Sequence, residues 1–209
     1  MTRVYVVCEG QTEETFCKEV IQQALPSHVS LQPVLLRGDV SRGRLLSLSL
    51  RLLKQTLFYV TTMVDLYGLG RGWPEDIRTS APQLETLLND EVCQEMGPKW
   101  NSACFRAHIQ PHEFESLLFS DPRAMAKGMN QEACAASFQR IRDDFTTPEE
   151  INNSPQTSPS HRIQDLVPGY QKVLMGNLSA LEVGLPAMER ECPHFAQWLG
   201  WLRSLPDTP

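Results

Sequence analysis

The stretch Arg3-Val4-Tyr5-Val6-Val7-Cys8-Glu9-Gly10-Gln11-Thr12-Glu13-Glu14 decides the fold. Its first six residues form a short, β-branched apolar run followed at once by a glycine turn, the pattern of a buried strand. Thr12 suits a helix N-cap, and the two acids after it suit the positive end of a helix dipole. Glu9 is therefore expected where a strand stops and a helix starts. In open α/β sheets that crevice is where ligands bind.

The arrangement repeats. Thr56-Leu57-Phe58-Tyr59-Val60-Thr61-Thr62-Met63-Val64 is a second strand-like run, ending on Asp65 with Gly68 close behind. A third run, Ala103 to Ile109, leads into Pro111-His112-Glu113-Phe114-Glu115. If the strands are parallel neighbours, Glu9, Asp65 and one or both of Glu113 and Glu115 meet at one edge. Uncompensated carboxylates repel, so their convergence points to a cation or a shared proton. Oxygen-only ligands fit Mg²⁺ or Mn²⁺ best, and Glu13 is a further candidate ligand. Glu113 and Glu115 share a face in a strand but diverge in a helix. His112 is a candidate base, and Lys172 and Arg162 are cations suited to charge that builds on a phosphate. Cys8, inside a strand, reads as a buried thiol.

Around these motifs the chain reads as one α/β unit. Helical spacing over Thr12–Leu25 and Leu45–Lys54, a strand over Val29–Leu36 and a helix over Ala81–Met96 imply βαβ units with a mainly parallel sheet. Residues 1–119 form this core and 120–209 a helical extension on it, starting with a helix at Asp121-Pro122. Thr146–Ser160 is polar and Pro/Ser/Asn-rich, the composition of a mobile loop. The tryptophans of Phe195–Leu202 read as core. Hydrophobic content of 41%, charged content of 21% and the lack of an apolar stretch of about 18 residues lead to the expectation of a cytoplasmic protein without membrane contact. The 6 cysteines form no CxxC pair, and neither cysteines nor histidines show the spacing of a zinc site. A net charge of −6 argues against a general nucleic-acid coat protein but not against a nuclease. A local basic surface would draw on Arg37, Arg42, Arg44, Arg51, Arg162 and Lys172.

Several segments together carry a resemblance over nearly the whole chain. They are Val7-Cys8-Glu9-Gly10-Gln11-Thr12-Glu13, Thr61-Thr62-Met63-Val64-Asp65-Leu66-Tyr67-Gly68 and His112-Glu113-Phe114-Glu115-Ser116-Leu117-Leu118-Phe119-Ser120-Asp121. To these are added Ser158–Ile163, Pro168-Gly169-Tyr170-Gln171-Lys172 and Cys192–Leu199. The chain resembles TOPRIM-type phosphotransfer domains, and more closely a TOPRIM-like family of AriB-type phage-defence effectors, related to OLD-type nucleases. The resemblance implies a Rossmann-like TOPRIM fold with Glu9 as the glutamate after the first strand and Glu13 as the one four residues on. It makes Asp65 the first acid of an Asp-x-Asp pair, Glu113 and Glu115 the downstream acid region, and Lys172 the late lysine. Tyr67 stands where the second acid of the pair belongs, which puts two-metal chemistry in doubt; Glu75 and Asp76 are the nearby substitutes.

The expected function is that of a Mg²⁺- or Mn²⁺-dependent nuclease serving as a defence effector. Catalysis would rest on Glu9, Asp65, Glu113, Glu115 and Lys172, with Glu13 as an additional metal ligand. As the resemblance implies, the substrate is nucleic acid, RNA or tRNA ahead of DNA, with a partner ATPase in control and homodimerisation on release. The rival expectations are a small-molecule phosphatase or phosphotransferase, and a non-catalytic regulatory or interaction subunit.

Overall fold

The computed structural model describes residues 1–55, 58–152 and 157–207. The fold is α/β. Strands β1 (Thr2–Cys8), β2 (Val29–Leu35), β3 (Tyr59–Asp65), β4 (Phe105–Arg106) and β5 (Ile109–Gln110) form a parallel sheet in the order β2-β1-β3-β4, with β5 also on β3. The Thr56–Leu57 start of the expected second run lies outside the described residues. Because β1 is flanked by β2 on one side and β3 on the other, the chain leaves it in opposite directions. The β1/β3 gap is thus the topological switch point of the sheet.

Both faces are covered, as a parallel sheet requires. Val4, Val6 and Cys8 point to one face, against α1 (Gln11–Phe16) and the C-terminal helices. Val7, Val60 and Val64 point to the other, against α2 (Arg42–Gln55) and α3 (Ala81–Met96). Helices α4 (Glu115–Leu118), α5 (Pro122–Gly128), α6 (Ala135–Asp143), α7 (Pro159–Leu166), α8 (Asn177–Val183), α9 (Leu185–Glu191) and α10 (Pro193–Ser204) complete the chain. Trp198 is buried in the first core, its indole N–H donating to Thr61 Oγ1 at 2.9 Å. No described helix is long and apolar enough to cross a membrane.

Four local expectations need correction. The cap of α1 is Gly10, not Thr12, and Glu13 supplies the capping side chain by accepting the Gly10 N–H at 2.9 Å. The helix after it does not run evenly to Leu25: a π turn at Cys17–Ile21 and a 3-10 turn at Gln22–Ala24 follow α1. The third strand is broken at Ala107-His108, because side chains of α3 and β3 take the backbone donors there, Thr62 Oγ1 accepting the His108 N–H at 2.8 Å. Asn89 accepts the Ala107 N–H at 2.9 Å and Glu85 accepts that of Ile109 at 2.6 Å. Finally, the polar Thr146–Ser160 segment contains a 3-10 turn at Pro148–Glu150 and the first residues of α7, and its buried Ile151 joins the core. Buried Glu149 anchors that turn by accepting the N–H groups of His194 and Phe195, each at 2.9 Å. Residues 153–156 of this expected loop lie outside the described residues.

Candidate active site

Glu9 follows the last residue of β1 and Asp65 ends β3, so two adjacent parallel strands deliver both acids to the same carboxyl edge. The Glu9 carboxylate accepts the Asp65 backbone N–H at 3.2 Å. Gly68 makes this approach feasible: a Cβ there would stand 2.2 Å from Glu9 Oε2. Asp65 Oδ1 accepts the Phe114 N–H at 2.8 Å, which ties the segment after β5 to the end of β3.

Glu113 and Glu115 part company at this point. His112 takes a left-handed conformation, with φ of 60°, an uncommon state for a residue with a side chain. The chain turns there. Glu115 then enters α4 fully buried and faces Asp65, whereas the Glu113 carboxylate accepts the Ser160 N–H at 2.8 Å and its hydroxyl at 2.9 Å, at the start of α7.

Lys172 returns from the C-terminal part of the chain to the centre of the acids. Its ammonium lies 2.8 Å from Asp65 Oδ2, 3.1 Å from Glu115 Oε2 and 4.0 Å from Glu13 Oε1. Its side chain is 36% exposed, so the stem is open to solvent while the head is enclosed. Tyr170, just upstream, donates its hydroxyl to Glu115 Oε1 at 3.4 Å. A π turn, Lys172–Gly176, begins at the lysine and runs into α8.

One ammonium does not balance Glu9, Glu13, Asp65 and Glu115. Burial disfavours the charge on each, and negative neighbours add to the effect. Glu9 is pushed up to about 7 by burial and by Asp65, and Glu13 likewise to about 7. Glu115 also rises to about 7 through burial, despite Lys172, and Asp65 moves upward for the same reason. Burial opposes the ammonium of Lys172 too, but Asp65, Glu115 and Glu13 outweigh it and raise this amine above its ordinary range. A site with surplus negative charge and carboxyls poised near neutrality suits a hard cation with oxygen ligands, or proton transfer.

The cluster is not drawn tight around a point. Among the described residues, the group whose ligand atoms all fall within 4.8 Å of one another is Glu85, His108 and His194, and no three of the acids around Lys172 do so. The ammonium stands between them. A hard cation at this edge would draw its oxygen ligands from Glu9, Glu13, Asp65 and Glu115, where the Lys172 ammonium now stands.

The remaining candidates lie elsewhere. Tyr67 is 38% exposed, packs against His112 with ring centroids 5.3 Å apart, and accepts from the Asn152 amide. Glu75 is exposed and pairs with Arg78 at 3.8 Å, and Asp76 is exposed. Cys8 is buried with its pKa raised well above the ordinary thiol value, first through its contact with Cys17 and then by burial, as befits an inert core thiol. Arg162 donates to the Thr157 carbonyl at 2.7 Å. Arg42 pairs with Glu91 at 3.1 Å, while Arg37, Arg44 and Arg51 line a groove of about 650 Å³ between the end of β2 and α2. The Glu85, His108 and His194 group was not legible beforehand, because its members are scattered along the chain and share no motif.

A parallel, doubly covered α/β domain of Rossmann-like form, with a buried carboxylate cluster at its switch point, is the class that fold and site define. The chain belongs to the family described as Domain of unknown function (DUF4276), whose family model matches residues 8–203. No curated protein and no solved structure matches the chain.

Proposed function

We propose that this protein is a metal-dependent nuclease of TOPRIM-like type, hydrolysing phosphodiesters in RNA, with tRNA-like substrates preferred to DNA. Its setting would be antiviral defence, with a partner ATPase restraining it. The observation that carries the reading is Lys172, brought from far along the chain to within 2.8 Å of Asp65 at the sheet's switch point. A lysine at strand-end acids is what phosphoryl chemistry needs: carboxylates for a cation and an ammonium for the charge that builds on phosphate.

In this mechanism Glu9, Asp65 and Glu115, with Glu13 beside them, would hold Mg²⁺ or Mn²⁺, which would supply Lewis-acid polarisation of the phosphodiester and a more acidic water. Lys172, released from Asp65 and Glu115, turns its ammonium to a non-bridging phosphate oxygen. The Phe114 N–H keeps Asp65 oriented throughout. Arg37, Arg44 and Arg51, one strand over, offer charge to the polynucleotide backbone.

A second reading has its own support. Lys172 already sits among the acids as an internal counter-ion, which is the arrangement expected of a non-catalytic interaction subunit. One experiment separates the readings: titration with Mg²⁺ and Mn²⁺, then incubation with labelled tRNA, single-stranded RNA, DNA and mononucleotides. The nuclease reading expects metal-dependent cleavage of polynucleotide that disappears in a folded Glu9→Gln variant. Hydrolysis of mononucleotides alone would make it a phosphatase, and no metal binding sensitive to Glu9→Gln would make it the interaction subunit.

A further inference from the structure

We infer that Glu85, His108 and His194 form a site for a zinc-class divalent cation, separate from the acidic cluster, which fastens α10 to the edge of the sheet. Two imidazoles and a carboxylate select zinc over magnesium, because nitrogen ligands suit borderline ions and Mg²⁺ prefers oxygen alone. The three residues come from three elements: Glu85 from α3, His108 from the break between β4 and β5, and His194 from the first turn of α10.

The geometry approaches that of a shared ion. Glu85 Oε1 lies 2.8 Å from His194 Nε2 and 3.7 Å from His108 Nδ1, and the ligand atoms of the three all lie within 4.8 Å of one another. Ligands at about 2.0–2.1 Å in a tetrahedron stand about 3.3 Å apart, so side-chain shifts on the order of an ångström close the set. The 3.7 Å gap is too long for a hydrogen bond but near the spacing of two ligands on one metal.

The surroundings orient both imidazoles. His194 turns its Nε2 to Glu85 Oε1 at 2.8 Å. His108 is buried, with its ring stacked between Trp198 at 4.6 Å and His194 at 5.2 Å. Its Nε2 has no hydrogen-bond partner. With its proton on Nε2, this ring directs the Nδ1 lone pair toward the Glu85 carboxylate, 3.7 Å away. A cation entering here takes the place of the proton between His194 Nε2 and Glu85 Oε1, which are 2.8 Å apart. The Ile109 N–H orients the carboxylate by donating to Glu85 Oε1 at 2.6 Å. Glu85 and His194 remain 14% and 18% exposed, so an ion has an entry path and water a fourth position.

The test uses the full chain, stripped of metal by a chelator and titrated with Zn²⁺ and with Co²⁺ as a spectroscopic probe. The expected result is one equivalent that gives the visible absorption of four-coordinate cobalt, distinct from any uptake by the all-oxygen acidic cluster, and a rise in thermal midpoint. Glu85→Gln and His194→Gln should each lose binding by tenfold or more, since each removes one of three ligands. Glu9→Gln should bind as the wild type does. X-ray absorption of the zinc-loaded wild type, which needs no variant to fold, should show two imidazole nitrogens. An all-oxygen shell, no stoichiometric uptake by folded protein, or binding lost in Glu9→Gln but kept in His194→Gln would overturn the inference. Cleavage activity is not the readout, so its outcome is independent of the nuclease proposal.

Discussion

Two sets of buried or half-buried acids in this molecule behave in opposite ways. Glu113 and Glu149 each accept two hydrogen bonds at the start of a helix, from Ser160 in one case and from His194 and Phe195 in the other. Their partners are donors held by the fold, and the arrangement is complete as it stands. Glu9, Glu13, Asp65 and Glu115 also take single bonds from the backbone or a hydroxyl, but the cation beside them is one ammonium, in contact with Asp65, Glu115 and Glu13. A helix terminus offers about half a positive charge with no need of an ion. Four carboxyls facing one lysine are left with excess negative charge. The lesson is that burial alone does not mark a functional acid; the mismatch between acids and donors does.

The sharpest way to break this contrast is to disturb placement without touching charge. Gly68→Ala puts a methyl group 2.2 Å from Glu9 Oε2, so the carboxylate must move. A displacement of about 1 Å at a reacting centre costs about a hundredfold in turnover. Cleavage by Gly68→Ala should therefore fall by that order while circular dichroism stays unchanged, and wild-type rates would show that Glu9 has no role in chemistry.

Removing the counter-ion tests the charge imbalance itself. Lys172→Met leaves Asp65 and Glu115 without their partner, and breaking a buried pair is costly. With a side chain 36% exposed, solvent shares the load, so a loss of about 2 kcal/mol at pH 8 is the expectation, read by urea unfolding. Mg²⁺ should then bind more tightly, by about tenfold, since a competing unit charge has left. Turnover should nevertheless drop. Weaker metal binding in this variant would contradict a lysine that occupies the cation's place.

The same imbalance sets a pH dependence. Glu9, Glu13 and Glu115 have folded pKa values of about 7, above the unfolded value of about 4.3. The folded chain therefore holds protons that the unfolded chain has released. The stability these groups contribute is complete below about pH 4 and is lost as pH rises through 7. His108, whose pKa burial depresses, works in the opposite sense at acidic pH. Comparison with Glu9→Gln isolates the acid, because glutamine imitates the protonated form. The variant should gain stability relative to metal-free wild type between pH 5 and 8, by thermal unfolding, and Mg²⁺ should narrow the gap by stabilising the wild type. A gap independent of pH would mean that Glu9 is ionised throughout.

Much of this arrangement is legible in the sequence. Apolar runs ending on Glu9 and Asp65 announce two parallel strands whose carboxyl ends adjoin, because strand period and a following glycine are local signals. The divergence of Glu113 and Glu115 is not local: it depends on the left-handed backbone of His112, which no composition reveals. The break in the third strand is equally hidden, since Asn89 and Glu85 reach it from α3. Thr12 looked like the cap because its hydroxyl is a good one, yet Glu13 reaches back to Gly10 first. The polar segment around Pro148 reads as loop because its order comes from one long-range contact, that of Glu149 with the start of α10.

That contact gives the smallest and most specific prediction. Glu149 is buried, and its two oxygens accept the His194 and Phe195 N–H groups, free donors at the first turn of α10. Glutamine at this position keeps the shape and one acceptor, but presents an amide N–H₂ to the second donor. Glu149→Gln should cost about 1–2 kcal/mol, the range of a lost cap or a charged hydrogen bond, measured by denaturant unfolding at neutral pH. Its rate of polynucleotide cleavage should match wild type at a temperature where both are folded. If instead the variant lost activity at full stability, the distinction between acids satisfied by donors and acids short of them would fail, and Glu149 would belong with Glu9 and Asp65.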